Sequence, residues 1–148
     1  MPSLCTPSMI LLLYTVIVAA TAQSYPNPQP CRGVCGYVHD PTIVIRQSDG
    51  KYFRFATAKN IQIATAPSMQ GPWTAEGPVL PNGSEIETFI AGSNQDSLWA
   101  PDAHLIGDTY YLYYAVSSIG SQDSAIGVAT SSSLDSGTWV DHGSLGIP

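Results

Sequence analysis

Beyond residue 22, the chain alternates short apolar runs with clusters of glycine, proline, serine and threonine. The runs are rich in tyrosine, valine, isoleucine and threonine, and helical periodicity is nearly absent from them. Short runs of β-branched and aromatic residues bounded by turn formers are typical of β-strands. We predict strands at residues 42–46, 52–57, 61–66, 72–75, 103–106, 110–116, 125–130 and 138–141.

The predicted strands fall into two similar units, residues 40–77 and 101–143. Matched residues keep their order in both units: Tyr52 with Tyr110, Phe53 with Tyr111, Phe55 with Tyr113, Ala64-Thr65 with Ala129-Thr130, Trp73 with Trp139, and Gly77 with Gly143. The sequences SDGK and GDT supply the turn after the first strand of each unit. A repeated unit of four antiparallel strands predicts β-propeller blades. A β-sandwich, which also has short and evenly spaced strands, is the alternative.

A closed propeller needs at least about four blades of ~40–45 residues each. We read only two blades here, at about residues 36–80 and 98–145. We therefore expect an all-β chain that forms an incomplete, amino-terminal fragment of a propeller. One blade face with its apolar residues would then be left open.

Residues 9–20 form an apolar run that is too short to span a membrane. The sequence Ala20-Thr21-Ala22 after this run fits the cleavage rule for secretory signal peptides. We expect a signal peptide at residues 1–22, a mature domain at residues 23–148, and an extracellular, secreted protein.

Two cysteines, Cys31 and Cys35, remain after the predicted cleavage. In an oxidising compartment we expect them to form one local disulfide. Their spacing offers two metal ligands, whereas a structural zinc site needs four. The sequon Asn82-Gly83-Ser84 predicts N-glycosylation at Asn82.

The chain contains five lysines and arginines and eleven aspartates and glutamates, which gives a formal net charge of −6. The chain has no basic cluster and no basic amphipathic helix, so we expect neither a nucleic-acid partner nor a membrane partner. The acidic residues are dispersed along the chain, a pattern that serves solubility.

Asp40 and Asp102 each enter the first strand of a unit, the strand that lines the channel of a propeller. Two acids from neighbouring blades could approach one cavity, as glycoside hydrolysis requires. The order is Asp-Pro in one unit and Pro-Asp in the other, and a slip of one residue turns a side chain to the opposite face. Asp40 could serve as a general base, or it could simply form a turn before Pro41.

The stretches VHDPTIV, LWAPDAHLIGDTYYLYYAVSSIGSQDSAIGVATS and TWVDHGSLG resemble the amino-terminal half of fungal endo-1,5-α-L-arabinanases of glycoside hydrolase family 43. The resemblance runs from about Tyr25 to the end of the chain and includes the opening PCRGVCGYVHDP. It implies a five-bladed β-propeller that hydrolyses arabinan with inversion.

The resemblance assigns the general base to Asp40. The general acid and the third carboxylate of the family belong to later motifs, so Asp102 is expected to be a buried, hydrogen-bonded residue beside the site. The loop SSIGS is expected to face the substrate, with Gly120 allowing close approach of the backbone. Trp99 is interpreted either as a sugar-stacking residue or as a core residue.

The histidines His39, His104 and His142 show no ligand spacing, and we expect no metal or cofactor in this segment. A channel metal ion in the full-length protein would take its histidine from a later blade. We expect a monomer whose partner is arabinan. The alternatives are an exo-acting α-L-arabinofuranosidase or β-xylosidase of the same family, and a non-catalytic secreted carbohydrate-binding β protein.

Overall fold

The computed structural model describes residues 25–86, 97–120 and 122–147, so the predicted signal peptide lies outside the described residues. The described residues contain strands and no helix, and hence no helix able to cross a membrane. The strands are β1 (His39–Ile45), β2 (Tyr52–Lys59), β3 (Gln62–Ala66), β4 (Thr74–Pro78), β5 (Ser97–Ile106), β6 (Thr109–Ser117), β7 (Ser124–Ser131) and β8 (Val140–Ser144).

The strands form two antiparallel units, β1–β4 and β5–β8, as the repeat predicts. The predicted turns contain Gly50 and Gly107, which have φ of 71° and 61°. Such left-handed angles suit glycine because it has no Cβ. Two residue pairs between β2 and β5, Ala58 with Leu98 and Lys59 with Ser97, join the units into one continuous sheet.

The first strand of each unit begins earlier than predicted, because each contains a β-bulge. In β1 the partners shift from His39 with Thr57 to Thr42 with Phe55, so β1 carries one extra residue. In β5 the partners shift from Trp99 with Ala115 to Asp102 with Tyr113 in the same way. A bulge of this kind lets pairing continue past an unpaired residue.

The two bulges are structurally equivalent. Asp40 has φ of 45° and Ala100 has φ of 46°, and each is followed by a proline. In the register of the sheets, Asp40 therefore corresponds to Ala100, and Thr42 corresponds to Asp102. The two aspartates that enter the first strands do not occupy matching positions.

The units pack face to face around one apolar core. The buried residues of this core from β2, β3 and β6, with Ile61 just before β3, are Phe53, Phe55, Ile61, Ile63, Tyr110, Leu112, Tyr114 and Val116. The ring of Phe55 meets the ring of Trp139 edge-on, with the centroids 5.5 Å apart. This geometry is a favourable one for aromatic pairs.

Matched positions in the two units face in opposite directions. Phe53 and Phe55 are buried in the core, whereas their counterparts Tyr111 and Tyr113 are half-buried. Strand side chains alternate between faces, so one face of the first unit meets the opposite face of the second unit. Successive blades of a propeller stack in this way.

The disulfide loop covers the outer face of the first unit. Cys31 and Cys35 are bonded, with Cα atoms 6.1 Å apart, which confirms the predicted pairing. Backbone hydrogen bonds tie this loop to Trp73, whose amide donates to Arg32 and whose carbonyl accepts from Val34. The guanidinium of Arg54 lies 4.9 Å from the centre of the Trp73 ring and donates to the Val34 carbonyl.

Arg46 links the two units at the end that carries the β1–β2 turn. Its guanidinium donates to both carboxylate oxygens of Asp49, and it donates to Asp135 and the Ser133 carbonyl of the second unit. The hydrogen bond from Arg46 lowers the pKa of Asp49 to about 2. Because this pKa is below its ordinary value of 3.8, the pair stabilises the fold above about pH 4, and that stabilisation is lost as the pH falls toward 2.

Truncating matched aromatic residues should show which sheet face is in the core. We expect Phe55→Ala to reduce the free energy of unfolding by about 3–5 kcal/mol, because it leaves a cavity in the core. Tyr113→Ala, at the matched and half-buried position, should reduce it by about 1 kcal/mol. Urea unfolding followed by tryptophan fluorescence measures both values. Equal losses would contradict the opposite facing of the two positions.

Replacing Ala100 by glycine should stabilise the fold. A residue with a Cβ in the left-handed region costs about 1–2 kcal/mol, and glycine removes most of this strain at a smaller cost in entropy. We expect Ala100→Gly to raise the unfolding free energy by up to about 1 kcal/mol in the same urea experiment. Ala103→Gly, in the regular and buried part of β5, should lower it. A loss from Ala100→Gly as large as that from Ala103→Gly would contradict the strained bulge.

Candidate active site

The sequence-predicted site residues lie at one end of the two units. Asp40 lies near the start of β1, Trp99 lies near the start of β5, and Gly120 lies in the turn that joins β6 to β7. Antiparallel pairing brings these points to the same end of the sheet, opposite to the Arg46 contacts. The fold therefore groups the three residues that the sequence singled out.

Asp40 presents an exposed carboxylate with one constrained oxygen. Its Oδ2 accepts a hydrogen bond of 3.0 Å from the Thr57 hydroxyl, which lies across the bulge on β2. Its Oδ1 has no hydrogen-bond partner among the residues that the structure describes. The carboxylate is thus held by one oxygen, and the other oxygen is available to solvent.

Asp102 is not buried, which corrects the expectation from the sequence. Its side chain is 64% exposed, and its Oδ2 lies 2.9 Å from Nε2 of His104. The bulge at Ala100 shifts the alternation of β5, so that Ala103 faces the core and Asp102 faces the other way. Asp102 therefore shares the face of Tyr113, which the described chain leaves open. The predicted hydrogen-bonded state of Asp102 is confirmed.

Trp99 and Gly120 lie beside this end without forming an enclosed pocket. Trp99 is half-buried and donates from Nε1 to the Ser97 hydroxyl at 2.9 Å. Gly120 is exposed with φ of 83°, and a Cβ added there would meet no atom within 4 Å. Both residues leave surface accessible to a ligand, and their predicted contacts with sugar stay predictions.

The histidines do not gather into a metal centre in the part of the chain described. No group of three or more histidine, cysteine, aspartate or glutamate residues there could hold an ion. His104 contacts Asp102, and Nε2 of His142 lies 2.7 Å from the Thr130 hydroxyl. His39 is exposed at the start of β1.

A largely buried polar cluster ties the segment after β4 to the second unit, and no pattern in the sequence indicated it. The Tyr114 hydroxyl donates to Oδ1 of Asp141 at 2.6 Å and lies 2.7 Å from the Ser84 hydroxyl. The backbone amide of Glu85 donates to Oδ2 of Asp141 at 2.7 Å. Burial and then the bond to Asp141 raise the pKa of Tyr114, so this phenol stays protonated.

Asn82 lies in an exposed turn next to this cluster. The amide of Gly83 donates to the Leu80 carbonyl and closes the turn, while the Ser84 side chain of the same sequon points into the buried cluster. The amide of Asn82 is accessible to solvent. Its glycosylation stays a prediction.

Comparison with known proteins places this arrangement in a family. The sequence profile of glycosyl hydrolases family 43 matches residues 34–148. The Aspergillus fumigatus protein named "Probable arabinan endo-1,5-alpha-L-arabinosidase C" is 53% identical over 141 residues, which cover 93% of this chain and 42% of that protein. The Aspergillus aculeatus protein named "Arabinan endo-1,5-alpha-L-arabinosidase A" is 49% identical over 140 residues, with 95% and 42% covered. This chain spans about two fifths of the length of these relatives.

Solved structures of similar fold are also named arabinanases. An exo-1,5-alpha-L-arabinanase from a bovine ruminal metagenomic library superposes with a TM-score of 0.66 at 33% identity, over 75% of this chain and 37% of that one. A family 43 endo-arabinanase from Bacillus licheniformis superposes with a TM-score of 0.65 at 29% identity, over 76% and 38%. The two packed units are part of the five-bladed propeller that the resemblance implies. By its sequence match over residues 34–148, this chain belongs to glycosyl hydrolases family 43.

Proposed function

We propose that this chain is the amino-terminal part of a secreted endo-1,5-α-L-arabinanase, in which Asp40 is the general base. The observation that carries the proposal is the geometry of Asp40 in a chain of this family. Its carboxylate is exposed at the end where Trp99 and Gly120 lie, with Oδ2 held by Thr57 and Oδ1 open to solvent. An oriented carboxylate with one free oxygen is suited to accept a proton from water.

The proposed reaction is a single displacement at the anomeric carbon. Oδ1 of Asp40 removes a proton from a water molecule, and the oxygen of that water forms a bond to the anomeric carbon. The glycosidic carbon–oxygen bond breaks on the opposite side, and the leaving oxygen takes a proton from a carboxylic acid. Asp102 lies on the face of β5 that points away from the core between the two units. We therefore assign this acid to the part of the relatives' length that the chain does not span.

Endo cleavage is the preferred form of the reaction, and exo cleavage is the second candidate. The relatives at 49–54% identity are named as endo-acting enzymes. Of the two solved structures, the one with a TM-score of 0.66 is named an exo-arabinanase and the one with a TM-score of 0.65 is named an endo-arabinanase. Similarity of fold over these two units therefore does not distinguish endo cleavage from exo cleavage. The distribution of product lengths released from linear arabinan distinguishes them.

Secretion, glycosylation at Asn82 and a monomeric state are further parts of the proposal. The disulfide between Cys31 and Cys35 supports an oxidising compartment. The exposure of Asn82 in its turn supports access for a glycan. Trp99 and Gly120 are proposed to contact the arabinan chain.

These proposals are tested in a protein of the relatives' length. We define the completed protein as residues 23–148 of this chain followed by the part of the Aspergillus aculeatus relative that lies beyond the matched region. We expect that part to supply the remaining blades and the general acid.

Residues 23–148 alone should show no detectable release of reducing sugar from linear 1,5-α-arabinan. General acid or base assistance is typically worth ~10²–10⁴-fold, and a base without its acid leaves the departing oxygen unprotonated. The completed protein should release reducing sugar under the same conditions. Robust activity of residues 23–148 alone, or inactivity of a folded completed protein, would contradict the proposal.

Asp40→Asn in the completed protein should lower kcat by ~10²–10⁴-fold while substrate binding persists, because the amide keeps the shape and cannot take a proton from water. Reducing-sugar release measures kcat, and NMR of the first product should show inversion at the anomeric carbon. Asp102→Asn is the matched control and should retain turnover. Near-normal turnover of Asp40→Asn would mean that Asp40 is not the base.

A further inference from the structure

A single hydroxyl group connects the bulges of the two units. Oγ1 of Thr57 lies 3.0 Å from Oδ2 of Asp40 and 2.8 Å from the backbone nitrogen of Ala100. A backbone amide can only donate, and an ionised carboxylate can only accept. The directions are therefore fixed: Thr57 accepts from Ala100 and donates its one proton to Asp40.

The second unit has no hydroxyl at the position of its own second strand that matches Thr57. The register places Ala115 at the position of Thr57, and Ala100 at the position of Asp40. The bulge nevertheless forms in the second unit, with φ at Ala100 within a degree of that at Asp40. The bulge therefore does not require a hydroxyl at this position of the unit's own second strand, and the hydroxyl occurs in the unit that carries the acid.

The side chain of Asp40 has little else to hold it. Asp40 is exposed, it lies in the left-handed region at the bulge, and Thr57 is its one hydrogen-bond partner among the described residues. Without the Thr57 hydroxyl, the carboxylate would be free to change rotamer. A reacting group that is misplaced by about 1 Å can lose 10²-fold in rate.

We propose that Thr57 is the positioning residue of Asp40, holding Oδ2 so that Oδ1 faces the reacting water, and that the amide of Ala100 in the second unit fixes the Thr57 hydroxyl. This inference rests on the proposed role of Asp40 as the general base. It also gives the second unit a part in the reaction, because its bulge supplies the hydrogen bond that orients Thr57.

The test compares Thr57→Val with Thr57→Ser in the completed protein. Valine keeps the branched shape and removes the hydroxyl, so kcat should fall by about 10- to 100-fold with KM nearly unchanged. Serine keeps the hydroxyl and should restore kcat to near the parent value, a rescue that a merely structural role of the branched side chain would not give. Thermal unfolding of each variant establishes that it is folded.

Thr42→Val is the matched control. Its hydroxyl lies 3.5 Å from the nitrogen of the Ala103 amide across the same interface, and among the described residues it makes no hydrogen bond to Asp40, so the kcat of this variant should stay near that of the parent. If Thr57→Val does not fold, Thr57→Ala takes its place, since it copies Ala115 of the second unit.

The outcomes separate this inference from the proposed function. A Thr57→Val protein with parental kcat, beside an inactive Asp40→Asn protein, would overturn the positioning role alone. So would a Thr57→Ser protein as impaired as Thr57→Val. An active Asp40→Asn protein would instead overturn the assignment of the base.

Discussion

The apolar interface between the two units fixes how far apart their bulges lie, and the candidate site depends on that separation. Phe55 and Trp139 meet in this interface, and the residues around them are buried. The bulges at Asp40 and Ala100 lie at one edge of it, close enough for one threonine hydroxyl to bond both. The orientation of the Asp40 carboxylate therefore depends on how the two units stack.

The two ends of the interface are fastened by different interactions. At the end with the β1–β2 turn, Arg46 joins Asp49 of its own unit to Asp135 of the next. The segment that follows β4 is fastened by the buried contacts of Tyr114 with Asp141 and Ser84. Charged pairs at an accessible end respond to pH and salt, whereas a buried network requires that all its members stay satisfied. At the site end, the units are joined by the residue pairs between β2 and β5 and by the hydrogen bond from the Ala100 amide to Thr57.

The repeat of aromatic residues and turns predicted the two units, because both depend on local patterns that a sequence displays. The bulges were not predicted, because each lies near the start of its strand, where too few residues precede the inserted one to display the shift in alternation. One signal was present: aligning Pro41 with Pro101 pairs Asp40 with Ala100 and Thr42 with Asp102. That alignment would have placed Asp102 on the face away from the core. The expectation that Asp102 is buried was wrong because of the bulge. Thr57 was not singled out, because its contacts with Asp40 and Ala100 join residues that are far apart in the sequence.

The most direct measurement is a crystal structure of the completed protein with a linear 1,5-α-arabino-oligosaccharide bound. The account predicts a water molecule at about 2.6–3.2 Å from Oδ1 of Asp40, on the side of the anomeric carbon opposite the glycosidic oxygen. The Thr57 hydroxyl should remain on Oδ2. A sugar bound away from Asp40, or a water held in that position by another carboxylate, would contradict it.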